Sequence, residues 1–460
     1  MTVSESKTVT AHEIINNNME YVEIDGNIFC ALSEKKLDKL SDSEIELLEE
    51  LCNKGYFFHH QKPELSSIRR NKIYISLAPV TKCNLRCKYC FASYGNNNES
   101  EIKQFDNRTI SQICDYFLHN YEEVNDFRVD FVSGGEPLLD LDLTEMILSI
   151  LTEKFSGKKL EIFLCTNGTL LNDNACAILN KYNVNLGVSA DGEKEIHDRC
   201  RVYQNGFGTY EDVYKNISAL KCNENISKNL KSAWSLSVVT ANTKSLVELI
   251  KHNKYKGFAG IQMKLVRLSK EDSLAISEDK LLQMYSMIDE LLLYFKESIQ
   301  NSSLDDILFF LNDNDYFGKL IRRVILKERY VYRCHAGREK YAVTPNGNLY
   351  PCDSFVGTKE YILGNVFTGQ KPRRAFEEYD VDRRGRCASC WCRYVCGGDC
   401  FHNSLMVNNS VVDCDEIYCK LAKYTIEQTI IILNDLEKEN SGSLRQLEHI
   451  LRVRFSLNRV

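Results

Sequence analysis

Between residues 71 and 270, short apolar runs alternate with stretches in which apolar residues recur every three or four positions. This is the pattern of repeated βα units that build a parallel sheet. The runs predict six strands, at 72–77, 128–132, 160–165, 184–189, 233–240 and 261–266. The amphipathic stretches between them predict helices over 110–118, 143–155, 174–181, 210–220 and 245–254. Upstream, 21–24 and 27–32 flank Asp25-Gly26, a hairpin signal. A helix is expected from about Ser41, capped by Ser41 or Asp42 with Glu44 in its first turn and stopping at Gly55. Downstream, 276–329 reads as a helical bridge, and Pro345-Asn346-Gly347-Asn348 as a tight turn between 340–344 and 349–350. The tail after Asn440-Ser441-Gly442 carries Arg445, Arg452, Arg454 and Arg459 and reads as a last helix with a solvated basic face.

Composition narrows the class. A chain of 460 residues, 43% apolar and 27% charged, is globular and long enough for two or three domains. No apolar run reaches the roughly 18 residues of a membrane span, and the polar start lacks a signal-peptide core, so a cytoplasmic protein without membrane partners is expected. The net charge is -6, and residues 1–65 carry 13 acidic against 6 basic side chains, which argues against nucleic acid as a partner. The 19 cysteines are odd in number and clustered at metal-type spacings, which fits a reducing compartment.

Chemistry concentrates at those clusters. Cys83, Cys87 and Cys90 follow the first predicted barrel strand, and three thiolates on one short loop can hold three corners of a cubane and leave one iron without a protein ligand. The alternative is zinc, which wants a fourth ligand such as His59 or His60. Gly134-Gly135-Glu136-Pro137 ends the second strand, where glycines permit close backbone approach and a carboxylate can accept from an ammonium group. Asn167 stands at the mouth of the third strand, and Ser189 and Asp191 at the end of the fourth. Arg201 follows as a bidentate partner for a carboxylate. The carboxyl ends of parallel strands are where sites form. A second field, Cys334, Cys352, Cys387, Cys390, Cys396, Cys400 and Cys419, is the other candidate metal centre, with a zinc ribbon as its plainer reading.

The Cys83-x3-Cys87-x2-Cys90 loop, with Tyr89 before its last cysteine, resembles the radical S-adenosylmethionine (SAM) enzymes. The resemblance implies a partial (β/α)6 barrel rather than a doubly wound sheet. It further implies SAM chelated at the open iron of a 4Fe-4S cluster and split by one electron to a 5'-deoxyadenosyl radical. By the same resemblance, the Gly134 to Pro137 turn contacts the methionine amino group, Ser189 the ribose or carboxylate, and Arg201 is a carboxylate partner. The second field, from Cys334-x12-Gly347-x4-Cys352 to Cys419, matches the SPASM pattern. That match implies two auxiliary 4Fe-4S clusters, one on Cys387, Cys390, Cys396 and Cys419, the other on Cys334, Cys352 and Cys400. The second set is one thiol short, because Lys340 stands where sulfatase maturases have a cysteine. Either Cys392 or Cys414 completes it, or an open iron takes a substrate thiolate; the second is favoured because Cys392 lies inside the other cluster's loop.

The text around Tyr350 to Gly357 and Leu363 to Val366 resembles thioether-forming maturases of the sactipeptide and ranthipeptide type. Asp353 replaces the histidine most of those carry and stands where sulfatase maturases place a catalytic base. The N-terminal hairpin and helices resemble a winged-helix-like element that binds a leader peptide at a sheet edge. The expected organisation is therefore a recognition element at 1–68, a radical SAM core at 69–275, a bridge at 276–329, a SPASM domain at 330–424 and a helical tail at 425–460. The expected function is thioether formation in a small ribosomally made precursor peptide, with an external electron donor of the flavodoxin or ferredoxin type. Formylglycine formation or a carbon-carbon crosslink is the alternative within the scaffold, and a zinc-stabilised peptide-binding protein the alternative outside it.

Overall fold

The computed structural model describes residues 10–13, 20–24, 27–30, 50, 54, 72–92, 104–132 and 134–456. Near the start, β1 (Thr10–Glu13), β2 (Glu20–Ile24) and β3 (Asn27–Cys30) form an antiparallel sheet in that order. Ile24 faces Asn27, so β2 and β3 pair as the predicted hairpin; Asp25-Gly26 itself lies outside the described residues. The helix expected from Ser41 to Gly55 also lies outside them, except that Glu50 is helical.

All six strands read from the core sequence form: β4 (Lys72–Leu77), β5 (Asp126–Phe131), β6 (Lys159–Thr166), β7 (Asn185–Ser189), β8 (Trp234–Val239) and β9 (Gly260–Leu265). They pair in parallel and in chain order, the arrangement that βα repeats impose. Each predicted helix forms within a few residues of its expected bounds, for example Asn107–Asn120, capped by the Asp106 side chain on the Thr109 N–H, and Leu141–Lys154, capped by Asp140. Short helices at Lys194–Cys200 and Lys228–Lys231 have too few turns to give a periodic signal and were not expected.

The sheet continues past its predicted end. β10 (Lys340–Val343) pairs in parallel with β4, and β11 (Asn348–Tyr350) and β12 (Gly364–Asn365) follow antiparallel, so nine strands form one sheet. The Pro345 to Asn348 turn joins β10 and β11 as expected. Part of the cysteine-rich C-terminal region is thus fastened to the barrel strand that precedes the Cys83 loop.

Strand alternation sorts the side chains. Ile73, Ile75, Leu77, Phe127, Val129, Phe131, Ile162, Leu164, Ile261, Met263 and Leu265 pack outward in the main apolar core. The inner wall carries Lys72, Arg128, Asp130, Glu161, Cys165, Lys264 and Lys340 instead. Near the amino ends of β4 to β6 these charges close on one another: Lys72 Nζ to Glu161 Oε2 is 2.8 Å, Arg128 Nη1 to Glu161 Oε1 is 2.9 Å and Arg128 Nε to Asp130 Oδ1 is 2.6 Å.

The bridge comprises helices Leu281–Gln300, Leu304–Phe310 and Tyr316–Ile325. The chain then ends its described part in one long helix, Glu416–Ser456, bent at Asn440, which runs through the boundary expected at 424/425. Leu444, Leu447, Leu451 and Phe455 are buried while Arg445 and Arg452 are exposed, so the tail is an amphipathic helix lying on the core with its basic face in solvent, as expected. Among the described residues no helix is long and apolar enough to cross a membrane.

Asp315 joins the bridge to the barrel. One carboxylate oxygen accepts the Gly318 N–H at 2.6 Å and caps Tyr316–Ile325, while the other accepts the Met263 N–H of β9 at 2.6 Å. Burial pushes its carboxyl from 3.8 up to about 7, against those two donors. Asp315→Ala is expected to lower unfolding stability by about 1–3 kcal/mol, since it orphans two buried N–H groups. Because the folded group holds its proton to higher pH than the unfolded one, its contribution is complete below pH 3.8 and is lost as pH rises through about 7. Denaturant titrations of wild type and variant across that window measure both effects, and the variant's profile should be flatter.

Candidate active site

The Cys83 loop is held against two neighbours. On one side the Arg86 and Lys88 N–H groups donate to the Val202 and Cys200 carbonyls at 2.7 and 3.0 Å, and Leu85 bridges to Tyr203. On the other, the Gly135 and Glu136 N–H groups donate to the Val80 and Lys82 carbonyls at 2.6 and 2.8 Å. The contact requires glycine: a Cβ on Gly135 would lie 1.8 Å from the Lys82 carbonyl oxygen, and one on Gly134 2.6 Å from that of Val80. The three thiols are brought together, half-buried, on one loop. The Leu85 N–H points at Cys83 Sγ at 3.4 Å and Asn167 Nδ2 at 3.9 Å. Burial pushes the Cys87 thiol up to about 12 even with Arg201 nearby, so loading a metal cluster there must expel protons.

Glu136 has a different task from the one its motif suggests. It is almost fully buried. Oε1 accepts from Thr166 Oγ1 at 2.7 Å and the Leu138 N–H at 3.1 Å, and Oε2 from the Asn167 N–H at 2.7 Å. Burial pushes its carboxyl up to about 7 against those donors. The side chain is therefore not an open acceptor for a ligand's ammonium group; it locks the Gly134 to Pro137 turn to the end of β6. Pro137 begins the next turn, where its missing N–H costs nothing. Asn167 completes this lock: Nδ2 donates to Asn84 Oδ1 at 2.8 Å, and Oδ1 accepts from Thr169.

Arg201 likewise finds its carboxylate within the chain. Its Nε and Nη2 lie 2.9 and 3.2 Å from the two oxygens of Asp191, and its guanidinium lies over the Tyr89 ring. Tyr89 donates its hydroxyl to Asp191 as well, and the Val238 N–H donates to the same carboxylate at 2.9 Å. Burial alone would raise the Asp191 carboxyl, but Arg201 holds it below the usual range. Tyr89, Asp191 and Arg201 thus form a buried network that orients the loop bearing Cys87 and Cys90. Ser189 remains half-buried at the end of β7. His197, unforeseen from sequence, accepts the Asp191 N–H at Nδ1 (3.2 Å) and contacts Thr209 Oγ1 at 3.0 Å through Nε2. Burial lowers its pKa to about 4, so it is neutral with the proton on Nε2. A lone histidine gives no pattern. Asn84, adjacent to Cys83, was the one missed residue that the motif itself offered.

The second field divides into two groups. Cys387, Cys390, Cys392, Cys396 and Cys419 line one cavity together with Arg386, Arg393 and Lys423. Cys414 lies behind it, with its sulfur 3.4 Å from that of Cys387, and Cys392 Sγ is 3.6 Å from Cys390 Sγ. Neither spare thiol has gone to the other group. There, Cys334 and Cys352 pack beside Phe355 and Phe401, and the charges of Cys334 and Cys400 act on Cys352. Arg267, just past β9, faces Cys400, Cys352 and Asp353 and donates to Ser354 Oγ at 3.1 Å. Asp353 is paired to Lys340 at 2.6 Å. Burial pushes the Asp353 carboxyl up, but Lys340, Lys264 and Arg267 outweigh it and hold it well below the carboxylate range.

These groups fit iron-sulfur clusters. Among the described residues no three His, Cys, Asp or Glu side chains converge on a single ion position, whereas a four-iron cube spreads its thiolates over separate corners. The thiol-lined cavity with three cationic neighbours suits an anionic cluster, and among the described residues no cysteine is in a disulfide.

Comparison with known proteins agrees. The radical SAM superfamily model matches residues 77–228, and the SPASM iron-sulfur cluster-binding domain matches 334–391. An uncharacterized protein of Methanocaldococcus jannaschii is 30% identical over 44% of this chain and 66% of its own length. A cysteine-type anaerobic sulfatase-maturating enzyme of Clostridium novyi is 25% identical over 78% of this chain and 95% of its own. The solved structure of anSMEcpe with bound AdoMet and Cp18Cys peptide superposes with a TM-score of 0.62, covering 79% of this chain and 99% of that one; at 22% identity, the likeness establishes the fold. The chain carries a radical SAM domain and a SPASM iron-sulfur cluster-binding domain, and its cofactors are accordingly 4Fe-4S clusters and SAM.

The close approach at Gly135 gives a direct test. Gly135→Ala should lose about four of roughly twelve irons from anaerobically reconstituted protein, because the displaced turn carries the Cys83 loop with it. Gly157→Ala, where a Cβ meets nothing within 4 Å, should lose none. Iron and sulfide assays on both variants read the difference.

Proposed function

We propose that this protein modifies a ribosomally made peptide, joining a cysteine sulfur of that peptide to a carbon of another residue. Cys83, Cys87 and Cys90 would hold the SAM-binding cluster, and Cys387, Cys390, Cys396 and Cys419 one auxiliary cluster. Cys334, Cys352 and Cys400 would hold the second. When bound, SAM and these clusters supply a 5'-deoxyadenosyl radical for hydrogen abstraction and an acceptor for the remaining electron. The observation that carries the reading is the company of the spare thiols: Cys392 and Cys414 lie against Cys390 and Cys387, so the group of three has no fourth thiol from either. A coordination place the chain does not fill is suited to a thiolate from the substrate, which would be deprotonated and positioned there.

The remaining residues position and enclose. Tyr89, Asp191, Arg201 and His197 fix the loop on one wall, and Glu136, Asn167 and Asn84 fix it on the other. The edges of the β1-β2-β3 sheet offer main-chain groups to which a leader peptide can add as a strand.

Formylglycine formation is the second reading, favoured by the name of the Clostridium novyi relative and by Asp353 at a position where a base would stand. Against it, the Asp353 carboxylate is occupied by Lys340 and stripped of basicity by three cations.

The test is anaerobic incubation of reconstituted protein, reductant and SAM with cysteine-containing peptides encoded beside its gene, followed by fragmentation mass spectrometry. The expected product keeps its sulfur, loses two hydrogens and fragments as a thioether. A product that has lost its cysteine sulfur to an aldehyde would replace this reading with the second.

A further inference from the structure

The inner wall of the barrel is charged, and nearly all of that charge is compensated. Lys72 and Arg128 pair with Glu161, and Lys340 pairs with Asp353. Arg267 donates to Ser354 and faces the Cys400 thiol. Lys264 is the exception: it makes no ion pair or hydrogen bond among the described residues. Its strand neighbours Ile261, Met263 and Leu265 are buried in the outer core, so alternation along β9 aims Lys264 inward. It remains exposed to solvent there, while the fields of Arg267, Asp353, Cys165 and Lys340 reach it from β6, β10 and the turn after β11. Lys264 thus stands on the inside of the barrel with its side chain open to solvent.

Its position links the two cysteine regions. Lys264 is paired in register with Val238, which packs against the cluster of Tyr89, Cys200 and Leu274 that Cys87 also joins. On its other side stand Lys340 and Asp353, next to Cys352. Lys264, Arg267 and Lys340 set three cations around the one Asp353 carboxylate, so the wall there carries more positive than negative charge. An ammonium on a flexible stem in such surroundings attracts a second carboxylate.

We propose that Lys264 is a specificity-determining residue that pairs with a carboxylate of the substrate peptide near its reacting thiol. The inference rests on the peptide reading above. The other carboxylate available inside the barrel is that of SAM, and the test separates the two sources.

Anaerobic calorimetry on the reconstituted holoprotein would compare Ac-Glu-Cys-NH2 with Ac-Gln-Cys-NH2, with the electron paramagnetic resonance of the reduced clusters recorded alongside and iron content measured for every variant. Wild type should bind the glutamate peptide roughly tenfold more tightly, the size of one charge-assisted pair. Lys264→Arg should keep the preference, Lys264→Gln lose it and Lys264→Glu reverse it. Equal binding of both peptides by wild type, with the cluster signal perturbed by each, would overturn the role of Lys264 and leave thiolate binding standing. A cluster signal untouched by either peptide would overturn the thiolate reading and this inference with it. A loss of SAM affinity in Lys264→Gln without any peptide preference in wild type would assign the carboxylate to SAM and overturn the proposal.

Discussion

Four consecutive residue pairs, from Lys340 against Tyr74 to Val343 against Leu77, fasten the SPASM domain to the first barrel strand. The chemistry depends on this register. β4 runs directly into the loop with Cys83, Cys87 and Cys90, and β10 and β11 run directly into Cys352 and Asp353. A slip of one residue would turn Lys340 outward and Tyr341 inward, exchanging the Lys340–Asp353 pair for a phenol and breaking the packing of Tyr341 against Phe117 and Tyr121. Two cysteine regions more than 240 residues apart in the chain therefore face one chamber because a parallel strand pair holds them there.

Around that pairing the protein spends its buried polar groups on position. Glu136, Asp191, Arg201 and His197 are ionisable side chains that motif reading assigns to ligands or leaves aside, yet each is satisfied within the chain. Their geometry is set before any ligand arrives, the condition under which a reactive intermediate can be aimed.

The strands and helices of the core were legible because their hydrophobic period differs so plainly, and the two cysteine patterns were legible because metal spacing has few other uses. The alignment of β10 beside β4 was not, since nothing local in Lys340 to Val343 names its partner across 260 residues. The partners of Arg201 and Glu136 within the chain were not legible for a related reason. A sequence shows that a charge is present, while its partner is fixed by folding, and a buried charge takes the nearest complement.

Lys340 pairs with Asp353 beside the group that contains Cys334, Cys352 and Cys400. The most direct measurement is crystallography of the anaerobic holoprotein with anomalous data at the iron edge. The account predicts three iron centres, with the one beside Asp353 and Lys340 bound by Cys334, Cys352 and Cys400 and by no fourth side chain. Four side-chain ligands at that centre, or only two centres in the molecule, would contradict it.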